Sequence, residues 1–259
     1  MKKRMLYILA CVLVLCTACR SGNKRTTEPS VIADIAYDVN KSWGYTVYLE
    51  EGSEYVPFVV VSADYNGGCL LMRECLLDDF VAYNEPGMYG SYYVDSIVDG
   101  YLNTIYKQTL SDGVQVLLLP TPIAVTTQNA IDTHEDDTEQ VQREVFLLSA
   151  TETNVVFDGL ITTEGELLRY FEDLHNRAAR SENGVFDTWW LRTPALVSNN
   201  AVIAVADDGS IGVGNINGMD GITDCAVRPC FCIPGDTPIA YKRGIVEDKQ
   251  VFCLKQHER

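Results

Sequence analysis

The chain has 259 residues, 47% of them hydrophobic, and a formal net charge of −16. That length and apolar content suit one large domain or two small ones with a substantial core. Nucleic acid is excluded as an expected partner, because binding a phosphate backbone calls for a basic face, and the dispersed acidity favours solubility instead.

At the N-terminus, Lys2, Lys3 and Arg4 precede an uncharged apolar run over residues 5–15. This run is too short to span a bilayer and fits the hydrophobic region of a signal peptide. Leu15-Cys16-Thr17-Ala18-Cys19 follows and resembles a bacterial lipobox, in which small residues precede a cysteine that becomes lipidated and N-terminal. Thr17 and Ala18 fit, whereas Cys16 stands where an aliphatic residue is usual. Cleavage before Cys16 would put Leu15 at a position that needs a small residue, so Cys19 is the expected lipidation site. An ordinary secretory signal is the alternative. The resemblance implies residues 1–18 as signal peptide and a protein exported and lipid-anchored to the bacterial cell membrane or outer membrane. Residues 19–41 are then the lipidated cysteine and a flexible tether, since the polar run RSGNKRTTEPS has no periodicity.

Short apolar runs bounded by Gly, Pro, Asn or Asp predict strands over 45–49, 56–61, 69–72, 116–119, 145–148, 189–191, 201–206 and 226–233. Asp207-Asp208-Gly209 predicts a hairpin between 201–206 and 210–213. Val94, Ile97, Val98, Tyr101, Leu102, Ile105 and Tyr106 recur at helical spacing and predict a helix with one buried face. Thr163 and Glu166 form a capping-box pattern before Leu167, Leu168, Phe171 and Leu174, which predicts a second helix; Ser149 and Glu152 repeat the pattern and predict a short third. Residues 128–139 are polar and acidic, and an exposed loop is expected there. The fold class is α+β, a mainly antiparallel sheet with two or three helices. A single domain is expected over 42–237, with 238–259 as a C-terminal extension.

Several segments together resemble an uncharacterised bacterial domain family. Its signature runs Trp-Trp-Leu-Arg-Ser-Pro, a hairpin with Asp-Gly, then Val-Arg-Pro; here it stands as WWLRTP (189–194), DDGS (207–210) and AVRP (226–229). Thr193 replaces the usual serine. VDGYLNTIYKQTL, REVFLLSATE and the opening strands from Trp43 also match, so the resemblance covers about residues 43–237. The family is distantly similar to the C-type-lectin-like and formylglycine-generating-enzyme folds. The resemblance therefore implies a C-type-lectin-like architecture and a cell-envelope setting, with no assigned activity.

Neighbouring strand residues point to opposite faces, so Trp189 and Trp190 cannot form one stacking platform. They are expected as structural residues, one in the core and the other under loops or at the surface. Arg192 and Arg228 are expected to fork onto carboxylates or loop carbonyls. After loss of the signal, Cys69, Cys75, Cys225, Cys230, Cys232 and Cys253 remain beside Cys19. They sit in apolar runs and are expected as small buried hydrophobes. Cys225 and Cys230 have the spacing of a copper-binding pair in the formylglycine-generating enzymes, yet on one strand that odd separation places the thiols on opposite faces.

The three histidines, His134, His175 and His257, have no ligand-spaced partners. No catalytic constellation, metal or cofactor is expected. The Asn-rich loop 214–224 lies where lectin-like folds display ligand loops, which makes Asn199, Asn200, Asn215, Asn217 and Asp220 the ligand-binding candidates. The leading expectation is a lipoprotein that binds an extracytoplasmic glycan or protein, besides its contact with the membrane through the lipid anchor. A divergent formylglycine-generating-type enzyme and a structural envelope component are the alternatives.

Overall fold

The computed structural model describes residues 28–40, 44–216, 224–246 and 249–255. Cys19, the lipidation expectation, lies outside them. The described chain is mostly β with few helices. Strands β1 (Tyr45–Glu51), β2 (Glu54–Tyr65) and β3 (Gly68–Arg73) form a meander. The β2–β3 turn is fixed by Asn66 and Gly67, both at positive φ (50° and 94°), which is what a two-residue hairpin loop demands. Next come β4 (Val81–Ala82), β5 (Thr121–Thr126), β6 (Thr138–Arg143) and β7 (Val145–Phe146). The signature region supplies β8 (Trp189–Pro194), β9 (Ala201–Val205) and β10 (Ile211–Asn215), and the chain ends with β11 (Asp224–Cys225), β12 (Cys230–Ile233), β13 (Ile239–Val246) and β14 (Lys249–Leu254). The main sheet has the order β13-β14-β1-β2-β3-β12-β7, antiparallel except for the parallel β1–β14 pair. Smaller sheets are β10-β9-β8, β11-β4 and β5-β6.

Several expectations need correction. The helix expected from Val94 begins at Ile97 and changes character midway: Ile97–Tyr101 is α-helical, Leu102–Tyr106 is a π-helix, and Lys107–Thr109 returns to α. Its buried face is Val98, Leu102 and Tyr106, whereas Ile105 is 60% exposed. No helix forms over 163–174; the segment makes 3-10 turns at Arg169–Glu172 and Leu174–Arg177, and only Leu168 and Phe171 of its apolar residues are buried. The box at Ser149 does form, with Glu152 N–H donating to Ser149 Oγ (3.0 Å) and Ser149 N–H to Glu152 Oε2 (2.8 Å), but a single turn follows instead of a helix.

The acidic segment at 128 is not all loop: Gln128–Thr133 is a helix that buries Ala130 and Ile131, and β6 starts at Thr138. The strand expected at 116–119 is absent, and Val116 is exposed. Residues 31–35, expected within a tether, pack against the domain instead: Ile32 and Ile35 are buried and Val31 bridges Pro238. The segment after residue 237 is no appendage, because β13 and β14 extend the main sheet beside β1. Cys225 and Cys230 do not share a strand, since β11 pairs with β4 and β12 with β3.

The strand β8 shows why the pieces cohere. All six of its residues are buried, because β9 covers one edge while Ala226 and Leu148 hydrogen-bond the other. The side chains alternate as expected, but neither face meets solvent: Trp189 and Trp190 are both fully buried. Their indole N–H groups donate to Arg177 O (3.0 Å) and Val81 O (2.9 Å). β10 crosses so close to Trp190 that a Cβ at Gly214 would lie 2.6 Å from its ring, which explains glycine there.

Arg192 sits at the centre of a water-excluded network. Its guanidinium grips Glu152 with two bonds (2.8 and 2.9 Å), and donates to Leu147 O and Ala124 O. Tyr65 Oη adds a 2.5 Å bond to Glu152. Glu164 lies 3.7 Å from Arg192 Nε and accepts from Thr126 N–H, Thr126 Oγ1 and Thr193 Oγ1. Burial works against the Arg192 cation, but the neighbouring Glu152 overrides it and holds the guanidinium charged. Burial raises the Glu164 carboxyl above its ordinary range despite those bonds and Arg192.

Removing one member of such a pair strands a buried charge, which typically costs about 3–5 kcal/mol. Arg192→Met is expected to lose that much in urea denaturation, and Arg192→Met with Glu152→Gln to lose less than the two single changes summed. Strict additivity would refute the coupling. The raised Glu164 carboxyl means the folded chain holds that proton more tightly than the unfolded chain. Its stabilising effect is full below the unfolded-state pKa and is lost as pH rises through the folded-state value. Melting temperatures of wild type and Glu164→Gln should therefore shift in the variant's favour between acid and neutral pH; a constant difference would contradict the assignment.

Candidate functional site

Ser96 opens the helix by accepting from Asp99 N–H (3.3 Å), and Asp99 in return accepts from Asp95 N–H (2.9 Å). This reciprocal cap holds Asp95 in the left-handed region (φ 58°), an uncommon conformation for a non-glycine residue. Asp99 is 3% exposed, and its carboxylate also accepts from Asn103 Nδ2 (3.1 Å) and from Arg143, which donates from Nε (2.8 and 3.0 Å) and Nη2 (2.8 Å). Those bonds, rather than solvent, keep Arg143 firmly protonated.

One turn on, the π-helical stretch presents Asn103. Its amide donates to Val145 O (2.9 Å) and accepts from Val145 N–H (3.2 Å), so the side chain pairs with β7 as another strand would. Short π-helical turns inside α-helices often occur at functional sites.

Between this helix and the β6–β7 junction lies a cleft of about 450 Å³, within the range of small-molecule sites, roughly 300–1,000 Å³. Its walls carry Asp95, Asn103, Thr104, Gln142, Arg143 and Glu144. Asp95 is 93% exposed and lies 3.6 Å from Arg143, which is itself 19% exposed. Lys107 pairs with Glu144 at the edge of the cleft. The cleft thus offers oriented donors and acceptors with nearly balanced charge. Tyr92 stands close by and donates to Glu139 (2.6 Å), and burial with that bond raises its hydroxyl pKa.

The ligand candidates of the sequence gather elsewhere, where β9 begins and β10 ends. Asn200 Oδ1 accepts from Gly87 N–H (2.8 Å), and its carbonyl accepts from Ile216 N–H (3.0 Å). Asn199 O accepts from Ser91 N–H (2.8 Å). These contacts tie loop 85–91 to the hairpin base. Asn215 lies opposite Ala201 in the same hairpin, and Asn217 and Asp220 lie outside the described residues. Arg228 donates to the carbonyls of Arg73 (3.0 Å), Asn176 (3.2 Å) and Glu74 (3.4 Å), and its guanidinium lies over Trp189 at 5.4 Å. His134 caps the helix Gln128–Thr133 in a left-handed conformation, and His175 is exposed beside Asp173. Among the described residues, no three His, Cys, Asp or Glu side chains converge as a metal site.

A family model described as "Domain of unknown function (DUF6273)" matches residues 66–235, more than half of the chain. The chain belongs to the DUF6273 family. No curated protein and no solved structure matches it. The DUF6273 span holds every cleft residue and Glu152, Glu164 and Arg192 of the buried network, but leaves out β1, β2, β13 and β14.

Sequence reasoning missed the cleft. Asp99 and Asn103 stand at i, i+4 in the helix, a spacing that marks one face; nothing in the sequence brings Arg143 to that face. Because Asp99 is buried and accepts charged bonds, Asp99→Ala is expected to cost about 2–3 kcal/mol in chemical denaturation. Glu144→Ala, whose lysine pair is partly exposed, should stay within about 1 kcal/mol. Similar losses for both would show that Asp99 does not hold the cleft together.

Proposed function

We propose that this DUF6273 protein is an exported, lipid-anchored binding module of C-type-lectin-like character, and that the cleft beside the π-helical turn takes a neutral, hydroxyl-rich ligand such as a glycan. The observation that carries this reading is the Arg143 guanidinium, oriented by Asp99 within a cleft of amide, hydroxyl and carboxylate groups. Asp95, Asp99 and Glu144 outweigh Arg143 and Lys107 in formal charge, so an anion would be repelled. Hydroxyl groups both donate and accept, and they suit Asp95, Gln142 and Thr104 together. The sequence supports the setting: Thr17-Ala18-Cys19 after the apolar run supplies the anchor, and the tether places the domain outside the membrane.

Two experiments test this. Probing a glycan array with the soluble domain from Arg20 onward should give binding to neutral glycans that changes little with salt, since no net charge is exchanged. Asp95→Asn with Gln142→Ala should weaken that binding about tenfold, equivalent to one or two lost hydrogen bonds, at unchanged melting temperature. Binding that survives both changes places the ligand elsewhere. For the anchor, Cys19→Ala should abolish palmitate labelling and release the protein from membranes; unchanged labelling defeats the lipoprotein reading.

A further inference from the structure

A second pocket, separate from the cleft, lies where residues 35–39 meet the start of β1, the turn Arg169–Glu172 and the start of β14. Its volume is about 240 Å³, below the size of most drug-like sites, so only a small headgroup fits. Tyr37 and Tyr170 form a corner, with ring centroids 5.1 Å apart and planes at 81°. Tyr170 is braced edge-on by Phe171, and Tyr45, a third lining tyrosine, is braced by Phe252.

Part of the polar lining is already engaged: Asn176 donates from its side chain to Tyr170 O (2.6 Å) and accepts at its carbonyl from Arg228 (3.2 Å). Lys249, the one cation among the described residues lining the pocket, is ion-paired with Glu74. The other oxygen of that carboxylate, Oε1, is buried with no hydrogen-bond partner among the described residues. Asp38 lines the pocket, and Glu172 and Asp173 act on Tyr37. Negative groups therefore surround rings whose faces are themselves negative.

We propose that this tyrosine-walled pocket binds a small organic cation of the quaternary or tertiary ammonium class. An ammonium ringed by methyl groups needs no directed hydrogen bonds. It is held by aromatic faces and a negative surround, which is what this pocket retains once its own bonds are made.

The test uses the full chain in a polyoxyethylene detergent, free of choline and sugar headgroups. Tetramethylammonium chloride and choline chloride are titrated at constant ionic strength, with sodium chloride as the blank. The neutral isostere of choline, 3,3-dimethylbutan-1-ol, and glucose are titrated in parallel, and binding is read by tyrosine fluorescence and calorimetry. Both cations are expected to saturate one site, and the neutral isostere to bind about tenfold more weakly or not at all. Tyr37→Leu and Tyr170→Leu should each weaken the cations about tenfold, whereas Tyr170→Phe, which keeps the ring, and Tyr241→Leu, outside the pocket, should not. Equal affinity for the neutral isostere, preferential binding of glucose, or no saturable response to either cation overturns the proposal. Unaltered cation binding in both leucine variants also overturns it. Should those variants fail to fold, the isostere comparison and Tyr170→Phe still decide the matter.

Discussion

The buried pairing of Arg192 with Glu152 constrains the rest of the molecule. A guanidinium and a carboxylate sealed from water are tolerable only when almost every donor and acceptor finds a partner. Here the partners come from distant parts of the chain: Tyr65 at the end of β2, Ala124 in β5, Leu147 after β7, and Arg192 itself in β8. Glu164 brings a further segment through Thr126 and Thr193. None of these strands can shift register without leaving a charge unpaired. The network thus sets how the signature strand docks against the main sheet, and the two tryptophans are buried at that strand's start.

Two glutamates flanking one arginine invite a catalytic reading, and the geometry argues against it. Glu152, Glu164 and Arg192 are each at most 1% exposed, and the oxygens of both carboxylates are occupied by donors from the protein. A group that must exchange a proton with substrate needs access and a free lone pair. Reactive potential lies instead at the periphery. Asp99 occupies an intermediate place: it is buried like the core carboxylates, but the arginine it holds still reaches the surface of a cleft. A rigid interior that fixes a partly exposed polar group suits a binding site better than a flexible loop would.

What was legible in the sequence was local. Alternation and turn residues gave β1, β2, β3, β9 and β10, because a strand's pattern is written in its own residues. The Ser149–Glu152 box was equally legible and does form, yet it starts no helix, because Arg192 recruits the same carboxylate from 40 positions away. Thr163 and Glu166 gave a similar pattern, but Glu164 is drawn inward to Thr126 and the segment winds through 3-10 turns. The cleft was hidden for a related reason: Asp99 and Arg143 are 44 positions apart, and helical spacing alone cannot report which distant side chain docks there. At both ends of the domain, too few apolar residues, such as Ile32 and Ile35, stand in a row to betray a packed segment.

The thiols follow from the same packing. Cys230 and Cys232 occupy alternate positions of β12 opposite Met72 and Leu70, while Cys69 stands opposite Ile233. Directly paired residues share a face, so Cys69 faces away from Cys232 although their strands are adjacent. Alternate residues on one strand are also poorly placed for disulfide geometry. Burial moves the Cys69 thiol up to about 11 and the Cys232 thiol up to about 12, and it raises Cys230 as well. Since the thiolate is the species that attacks and oxidises, these side chains behave as small apolar groups. They can serve the core of the domain without being drawn into disulfide exchange.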